Sequence, residues 1–448
     1  MIQHRFANLE ALQTHILKKI PTLYVGSRTS TVLPFEKMET EKNVEKFGLS
    51  SQLCFGDLSA LPKKMFFKTP TELCVAGPVH WKEAKEYCES HGRRIMTSPT
   101  EELALCLSGV ATSATGERSF AFGALKDQVL EVEYFDQNAE LKKLLASNAF
   151  SSLHPTILRE YQQTYLPFQK FKNAPFPRLE KATDLMAGTE GQLGVITQAV
   201  FQTVPQENDI YVLIKLPKWD ENFEAHLEVF HEVQKFRGKI EACEFMDHYS
   251  LSHLPKERNP VEEGVDLVFL QMAESQFEYI FEEFLEKLTL VSSEQIFQMS
   301  STKCRELRMD VPRYVFEHNA KNGVTKVGTD VQVSPNNFKK LLGIYQQLGL
   351  QGVPFNLFGH FGDAHLHFNL MPTPQEMPLC LDLMKSFYKD IKKLNASPFA
   401  EHGVGVLKRQ YIKQYYQEIH LKVFQELKLQ HDSNNIFFPG GFMSLSNF

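Results

Sequence analysis

The densest grouping of side chains able to hold a metal ion or move a proton lies in two stretches, Gly359-His360-Phe361-Gly362-Asp363-Ala364-His365-Leu366-His367-Phe368-Asn369 and Glu401-His402-Gly403-Val404-Gly405. Together they supply four histidines, His360, His365, His367 and His402, and two carboxylates, Asp363 and Glu401. Imidazole titrates near neutrality and ligates divalent ions, and carboxylates complete such ligand sets, so the chemistry implied is metal coordination or acid–base transfer. His365, His367 and Asn369 alternate with Leu366, Phe368 and Leu370. Side chains on a strand point to opposite faces in turn. The spacing therefore predicts a strand that buries Leu, Phe and Leu and shows His, His and Asn to a cavity. One isolated histidine there would read as a hydrogen-bonded core residue; the cluster favours a site.

The elements around this strand read clearly from Asp209 onward. Asp209–Leu216, Lys239–Phe245 and Leu267–Met272 read as strands, and 222–237 and 277–288 as amphipathic helices. That order predicts an antiparallel sheet covered by helices on one face. After Pro372 helices dominate, over 376–394 and 411–427, and Asn435-Ile436-Phe437-Phe438-Pro439-Gly440-Gly441 ends the last one. In the first 205 residues the strands are Thr22–Val25, Leu73–Ala76 and Val129–Phe135, mixed with small-residue loops, and Phe6, Leu9, Leu12, Ile16, Leu17 and Ile20 have helical spacing. Pro205-Gln206-Glu207-Asn208 is the natural boundary, giving domains over 1–205 and 206–375 and a helical segment over 376–448.

Bulk properties narrow the function class. With 448 residues, a net charge of −6 and no long Lys/Arg block, a nucleic-acid binder is disfavoured. Seven scattered cysteines without a C-x-x-C pair fit a reducing cytosol and exclude a Cys-rich iron–sulfur cluster within this chain. No run approaches the ~18 apolar residues of a transmembrane helix. The expected location is cytoplasmic or peripheral to a membrane, and a homodimer is compatible with the chain.

Three Gly/Ser/Thr stretches lie in the first domain: Gly26-Ser27-Arg28-Thr29-Ser30-Thr31, Gly109–Ser119 with Thr112, Ser113, Thr115 and Gly116, and Gly188-Thr189-Glu190-Gly191-Gln192-Leu193-Gly194. Each is either a plain turn or a backbone cradle for an anion. None is G-x-G-x-x-G after a strand or G-x-x-x-x-G-K-[ST], so neither a Rossmann nor a P-loop reading has support.

Taken in order, these stretches resemble the flavin-binding domain of the vanillyl-alcohol-oxidase/p-cresol-methylhydroxylase (PCMH) superfamily. Gly188–Thr197, running through Val195 and Ile196, is similar to that domain's closing G-[ST]-E-G-x-L-G-[IV]-I-T. Gly359–Asn369 resembles G-H-x-G-D-G-N-L-H-x-N, and Glu401–Gly405 resembles E-H-G-[IV]-G, of FAD-linked D-2-hydroxyacid dehydrogenases. The resemblance implies an α+β chain: a PCMH-type FAD-binding domain, then a ferredoxin-like antiparallel-sheet substrate (cap) domain and a C-terminal helical segment. It also implies noncovalent FAD on Gly26–Thr31, Thr112, Ser113, Thr115, Gly116, Ser119, Glu190, Gly191, Gly194, Val195, Ile196 and Asn435. A divalent metal, zinc by preference, would rest on His360, His367 and Glu401. His365 stands where Asn is usual, as an extra ligand or a substrate contact. His402 is the implied base, Arg308 in Leu307–Pro312 the carboxylate anchor, and Lys326 a second cation. Phe438 replaces the Asn expected before Pro439, so Asn434 or Asn435 would have to supply that polar contact.

The implied reaction is oxidation of a D-2-hydroxy acid to the 2-oxo acid. Electrons would leave to a separate acceptor: an electron-transfer flavoprotein, a quinone or an iron–sulfur partner. Two alternatives stay open, a flavin-assisted non-redox transferase of the alkyl-ether-lipid-synthase kind and a noncatalytic FAD-carrying subunit.

Overall fold

The alternation in Val129–Phe135 does produce a strand over those residues in the computed structural model, which describes residues 3–35, 38, 44–50, 52–116 and 118–443. It belongs to an antiparallel sheet with the spatial order Lys64–Thr69, Glu72–Ala76, Val195–Pro205, Val129–Phe135, Leu141–Leu145; Arg93–Ile95 also pairs with Val195–Pro205. Beside it lies a parallel sheet ordered Gln3–Arg5, Cys54–Asp57, Thr22–Val25. The N-terminal helix spans Leu9–Leu17, with Asn8 Oδ1 accepting from Ala11 N at 2.8 Å as its cap and Leu12 and Ile16 turned into the core.

Residues 206–208 connect Val195–Pro205 to a second antiparallel sheet. Its order is Ile296–Met299, Asp209–Leu216, Asp266–Ala273, Ile240–Met246, Phe355–His360, His365–Leu370, Val327–Gly328, with Val331–Gln332 paired to His365–Leu370 as well. Three of these strands match the expected ones to within a residue or so. The expectation of helices on one face is corrected. Val212, Ile214, Val268, Leu270, Leu366 and Phe368 face Glu224–Lys235, Phe338–Gly349 and Met377–Lys393. The alternate residues Tyr211, Leu213, Leu267 and Phe269 pack on Leu251, Cys304, Leu307 and Val311, so Ser301–Lys321 and His248–Ser252 cover the other face. With both faces apolar, both must be covered. Ser301–Lys321 escaped the sequence reading because it is polar over most of its length and contains Pro312.

The helix expected over 411–427 is divided into Arg409–Ile412, a turn of 3-10 helix at Lys413–Tyr415 and Glu418–His431. Tyr416 is extended, and the Gln417 N–H donates to His420 Nδ1 at 2.9 Å, which starts a new helix. Beyond it the tail returns to the N-terminus: Thr22 N donates to Ile436 O at 2.8 Å and Phe438 N to Thr22 O at 2.9 Å. No helix among the described residues is long and apolar enough to cross a membrane.

Candidate active site

Phe355–His360 and His365–Leu370 form a hairpin around Phe361–Asp363, its register pairing His360 with His365 and Phe358 with His367. Leu366, Phe368 and Leu370 enter the core as expected, while His365, His367 and Asn369 take the opposite face. Gly359 lets the strands close: its φ is +135°, and a Cβ there would meet His367 Cδ2 at 3.0 Å.

His360 and His367 both present Nε2 to one oxygen, Glu401 Oε2, at 2.9 and 3.6 Å. Their other nitrogens are held from behind, His360 Nδ1 by Glu244 Oε1 at 2.8 Å and His367 Nδ1 by the Thr329 carbonyl at 3.1 Å. Such outer partners aim imidazole lone pairs at a cation. Burial opposes charging of His360, yet Glu244 and then Glu401 outweigh it and lift the ring to about 9. Positive charge is therefore favoured at this point, and two imidazoles with one carboxylate fit a divalent ion such as zinc. The ligand atoms of His360, His365, His367 and Glu401 lie within 4.8 Å of one another. Both His365 nitrogens, however, have other neighbours: Asp330 Oδ1 at 2.9 Å from Nε2 and Lys172 Nζ at 3.4 Å from Nδ1.

The Glu401–Gly405 loop hangs on two buried carboxylates. Asp330 Oδ1 accepts from Ala400 N and Glu401 N at 3.3 and 3.2 Å, and Oδ2 from His402 N at 3.0 Å and Lys408 Nζ at 2.6 Å. Burial resists its ionisation, but Lys408, His402 and His365 hold it well below the usual carboxylate range. Glu190, from the Gly188–Gly194 turn, accepts from Val404 N at 2.5 Å and Gly405 N at 3.1 Å. Gly403, at φ +78°, passes so close to Glu190 that a Cβ would lie 2.6 Å from Oε1. His402 stacks on His367 with centroids 5.1 Å apart and 10° between planes, its Nδ1 3.7 Å from Asp330 Oδ2. Its side chain stays 33% exposed. Desolvation in the cleft lowers its pKa despite Asp330, so it is neutral at pH 7.

One cavity of about 650 Å³ joins these groups to the glycine-rich loops. It is lined by Gly26–Thr31, Thr112, Glu190, Gly191, Gly194, Val195 and Ile196 and by Arg308, Lys326, His360, His367, Glu401 and His402. Its size is that of a cofactor-and-substrate cleft, and its loops offer small residues and backbone along one wall, which fits FAD. Arg308 is buried with Nη2 3.5 Å from Glu244 Oε1, and Lys326 is exposed. Other expected cofactor residues lie elsewhere. Ser113 donates to Asn173 Oδ1 at 2.7 Å and Ser119 to Asp363 Oδ2 at 2.9 Å, while Thr115 and Gly116 do not line the cavity. Asn435 does not line it either, and Asn434 turns to Gln137; the apolar Phe438 takes that wall. Sequence reasoning missed Glu244, Asp330, Lys172 and Lys408. Only Asp330, four residues after the expected cation Lys326, left a signal.

Comparison with known proteins bears on the family and the fold. Residues 206–441 match the family of FAD linked oxidases, C-terminal domain. The chain is 23% identical over 384 residues to a D-lactate dehydrogenase of Archaeoglobus fulgidus, covering 82% of this chain and 76% of that one. It is 24% identical over 309 residues to a mitochondrial D-2-hydroxyglutarate dehydrogenase of Arabidopsis thaliana, covering 67% of this chain and 50% of that one. Among solved structures, p-cresol methylhydroxylase with substrate bound superposes at a TM-score of 0.70 and 12% identity over 100% of this chain and 89% of that chain, which bears on fold alone. With the α+β fold, the PCMH-like architecture and the family match in agreement, the chain belongs to the FAD-linked oxidases and is an FAD-dependent oxidoreductase.

Proposed function

We propose that the protein oxidises a D-2-hydroxy acid to its 2-oxo acid with noncovalently bound FAD, assisted by a divalent cation, zinc in the first instance. The convergence of two imidazole Nε2 atoms on Glu401 Oε2 beside a neutral histidine, in one cavity with Gly26–Thr31, carries this reading. In this scheme residues 1–205 bind flavin, 206–375 bind substrate and 376–448 close the structure. When bound, a cation on His360, His367 and Glu401 would supply Lewis acidity, and the flavin would supply a two-electron acceptor. The chain does the rest. Arg308 fixes the substrate carboxylate, for which a planar guanidinium is suited, and Lys326 adds a cation at the exposed rim. His402 accepts the hydroxyl proton at Nε2, because Nδ1 is turned to Asp330. A separate acceptor, whether electron-transfer flavoprotein, quinone or iron–sulfur protein, takes the electrons. A cytoplasmic or membrane-peripheral dimer is the setting we favour.

Anaerobic titration with lactate, glycolate, malate and 2-hydroxyglutarate, following flavin absorbance, tests the reaction. At least one is expected to bleach the flavin, and chelation is expected to abolish bleaching while the protein stays yellow. A flavin unreduced by every hydroxy acid would leave the non-redox transferase or the noncatalytic subunit. Full activity after exhaustive chelation would remove the cation.

A further inference from the structure

A chain of four buried side chains runs behind the histidine face. Asp363 Oδ2 lies 3.2 Å from Lys172 Nζ, Lys172 Nζ 3.4 Å from His365 Nδ1, and His365 Nε2 2.9 Å from Asp330 Oδ1. Lys172, Asp363, His365 and Asp330 are all nearly inaccessible. Lys172 comes from the first 205 residues and the other three from the hairpin and its neighbouring loop, so the row crosses between the halves of the molecule. Its outer end is anchored from both sides: Ser119 donates to Asp363 Oδ2 at 2.9 Å and Arg237 Nη2 lies 3.3 Å from Asp363 Oδ1.

Hydrogen-bond roles in the row are fixed by chemistry. An ammonium has only donors, so His365 Nδ1 must accept from Lys172, and Nε2–H is left to donate to the Asp330 carboxylate. Asp330 in turn receives the backbone N–H groups of Ala400, Glu401 and His402. His365 thus sets the carboxylate on which both the candidate ligand Glu401 and the candidate base His402 hang.

We propose that His365 is a positioning residue: through Asp330 it holds the Glu401–His402 backbone in register with His360 and His367, and Lys172 orients it from the other half of the chain. This deepens the proposed function and rests on it for the roles of Glu401 and His402. It differs from a third-ligand role, in which His365 would donate a lone pair to the cation.

Two substitutions separate the two hydrogen bonds. His365→Gln places an amide near the Nε2 position and keeps the bond to Asp330; His365→Asn places its oxygen near Nδ1 and keeps only the bond to Lys172. In FAD-loaded protein, hydrogen exchange at the Ala400, Glu401 and His402 amides is expected to accelerate at least tenfold in the Asn variant and to stay close to wild type in the Gln variant. In hydroxy-acid oxidation, the Gln variant is expected to exceed the Asn variant at least tenfold in kcat, with KM within about threefold. Zinc affinity of stripped protein, by competition with a chromophoric chelator, should follow the same order. Equal exchange protection in both variants, or equal loss in both, overturns the proposal. Equal loss of zinc affinity in both with protection intact marks His365 as a ligand instead. Should wild-type protein bind no zinc, the cation reading fails, and the amide exchange still decides the positioning role.

Discussion

His402 is held by its ring stack on His367 and by its own backbone N–H on Asp330. A base so placed usually contributes ~10²–10⁴-fold to rate. His402→Ala is accordingly expected to keep its flavin absorbance and lose at least ~10²-fold in kcat; near-normal turnover would show that another group takes the proton. Arg308→Lys tests the anchor. A lysine keeps the charge but loses the planar fork, so KM for the hydroxy acid should rise about tenfold or more while kcat changes less. An unchanged KM would place the carboxylate elsewhere.

At the scale of elements, the His365–Leu370 strand does two jobs with its two faces. Its apolar side holds the histidines rigid: Phe368 stacks on Tyr345 at 5.0 Å and on Phe355 at 4.9 Å between centroids. Removing that ring leaves a cavity directly beneath the site. Phe368→Ala should cost ~3–5 kcal/mol in urea unfolding and lower turnover as well, because the strand is then free to shift. Loss of stability with turnover intact would show that the site does not depend on this packing. This strand was legible because a period of two is written in consecutive residues. The sheet's second helical cover was not, because Ser301–Lys321 buries only a narrow row including Cys304, Leu307 and Val311 among charged residues.

Across the whole molecule, the half built on the second antiparallel sheet carries a buried acid with a pH signature of its own. Asp247 is inaccessible, its Oδ2 has no hydrogen-bond partner, and burial together with Asp266 raises its carboxyl to about 7. The folded protein therefore holds a proton that the unfolded chain, titrating near ~4, has already released. Stability is expected to fall by up to a few kcal/mol as pH rises from ~4 to ~7 and to level off above that. Asp247→Asn should lack this decline, read as denaturation midpoints from pH 5 to 8. Parallel profiles for the two proteins would show that Asp247 is ionised throughout.

Local rules carried much of this protein: the alternation at His365–Leu370, the strands from Asp209 to Met272, and the two His/Glu motifs, each contained in a dozen residues or fewer. Contacts between distant segments escaped them. Glu244 stands behind His360 across 116 positions, Lys172 meets His365 across 193, and Glu190 reaches Val404 across 214. Periodicity reports which way a side chain points within its own element. Which buried charge it meets depends on how the sheets dock, and a charge can be buried only where docking supplies its partner. Hence Glu244, Asp330 and Lys172 emerged from the assembled molecule, where Ser113, which the family resemblance implied for the cofactor, bonds Asn173 within the first 205 residues, and Ser119, implied likewise, bonds Asp363 of the other half.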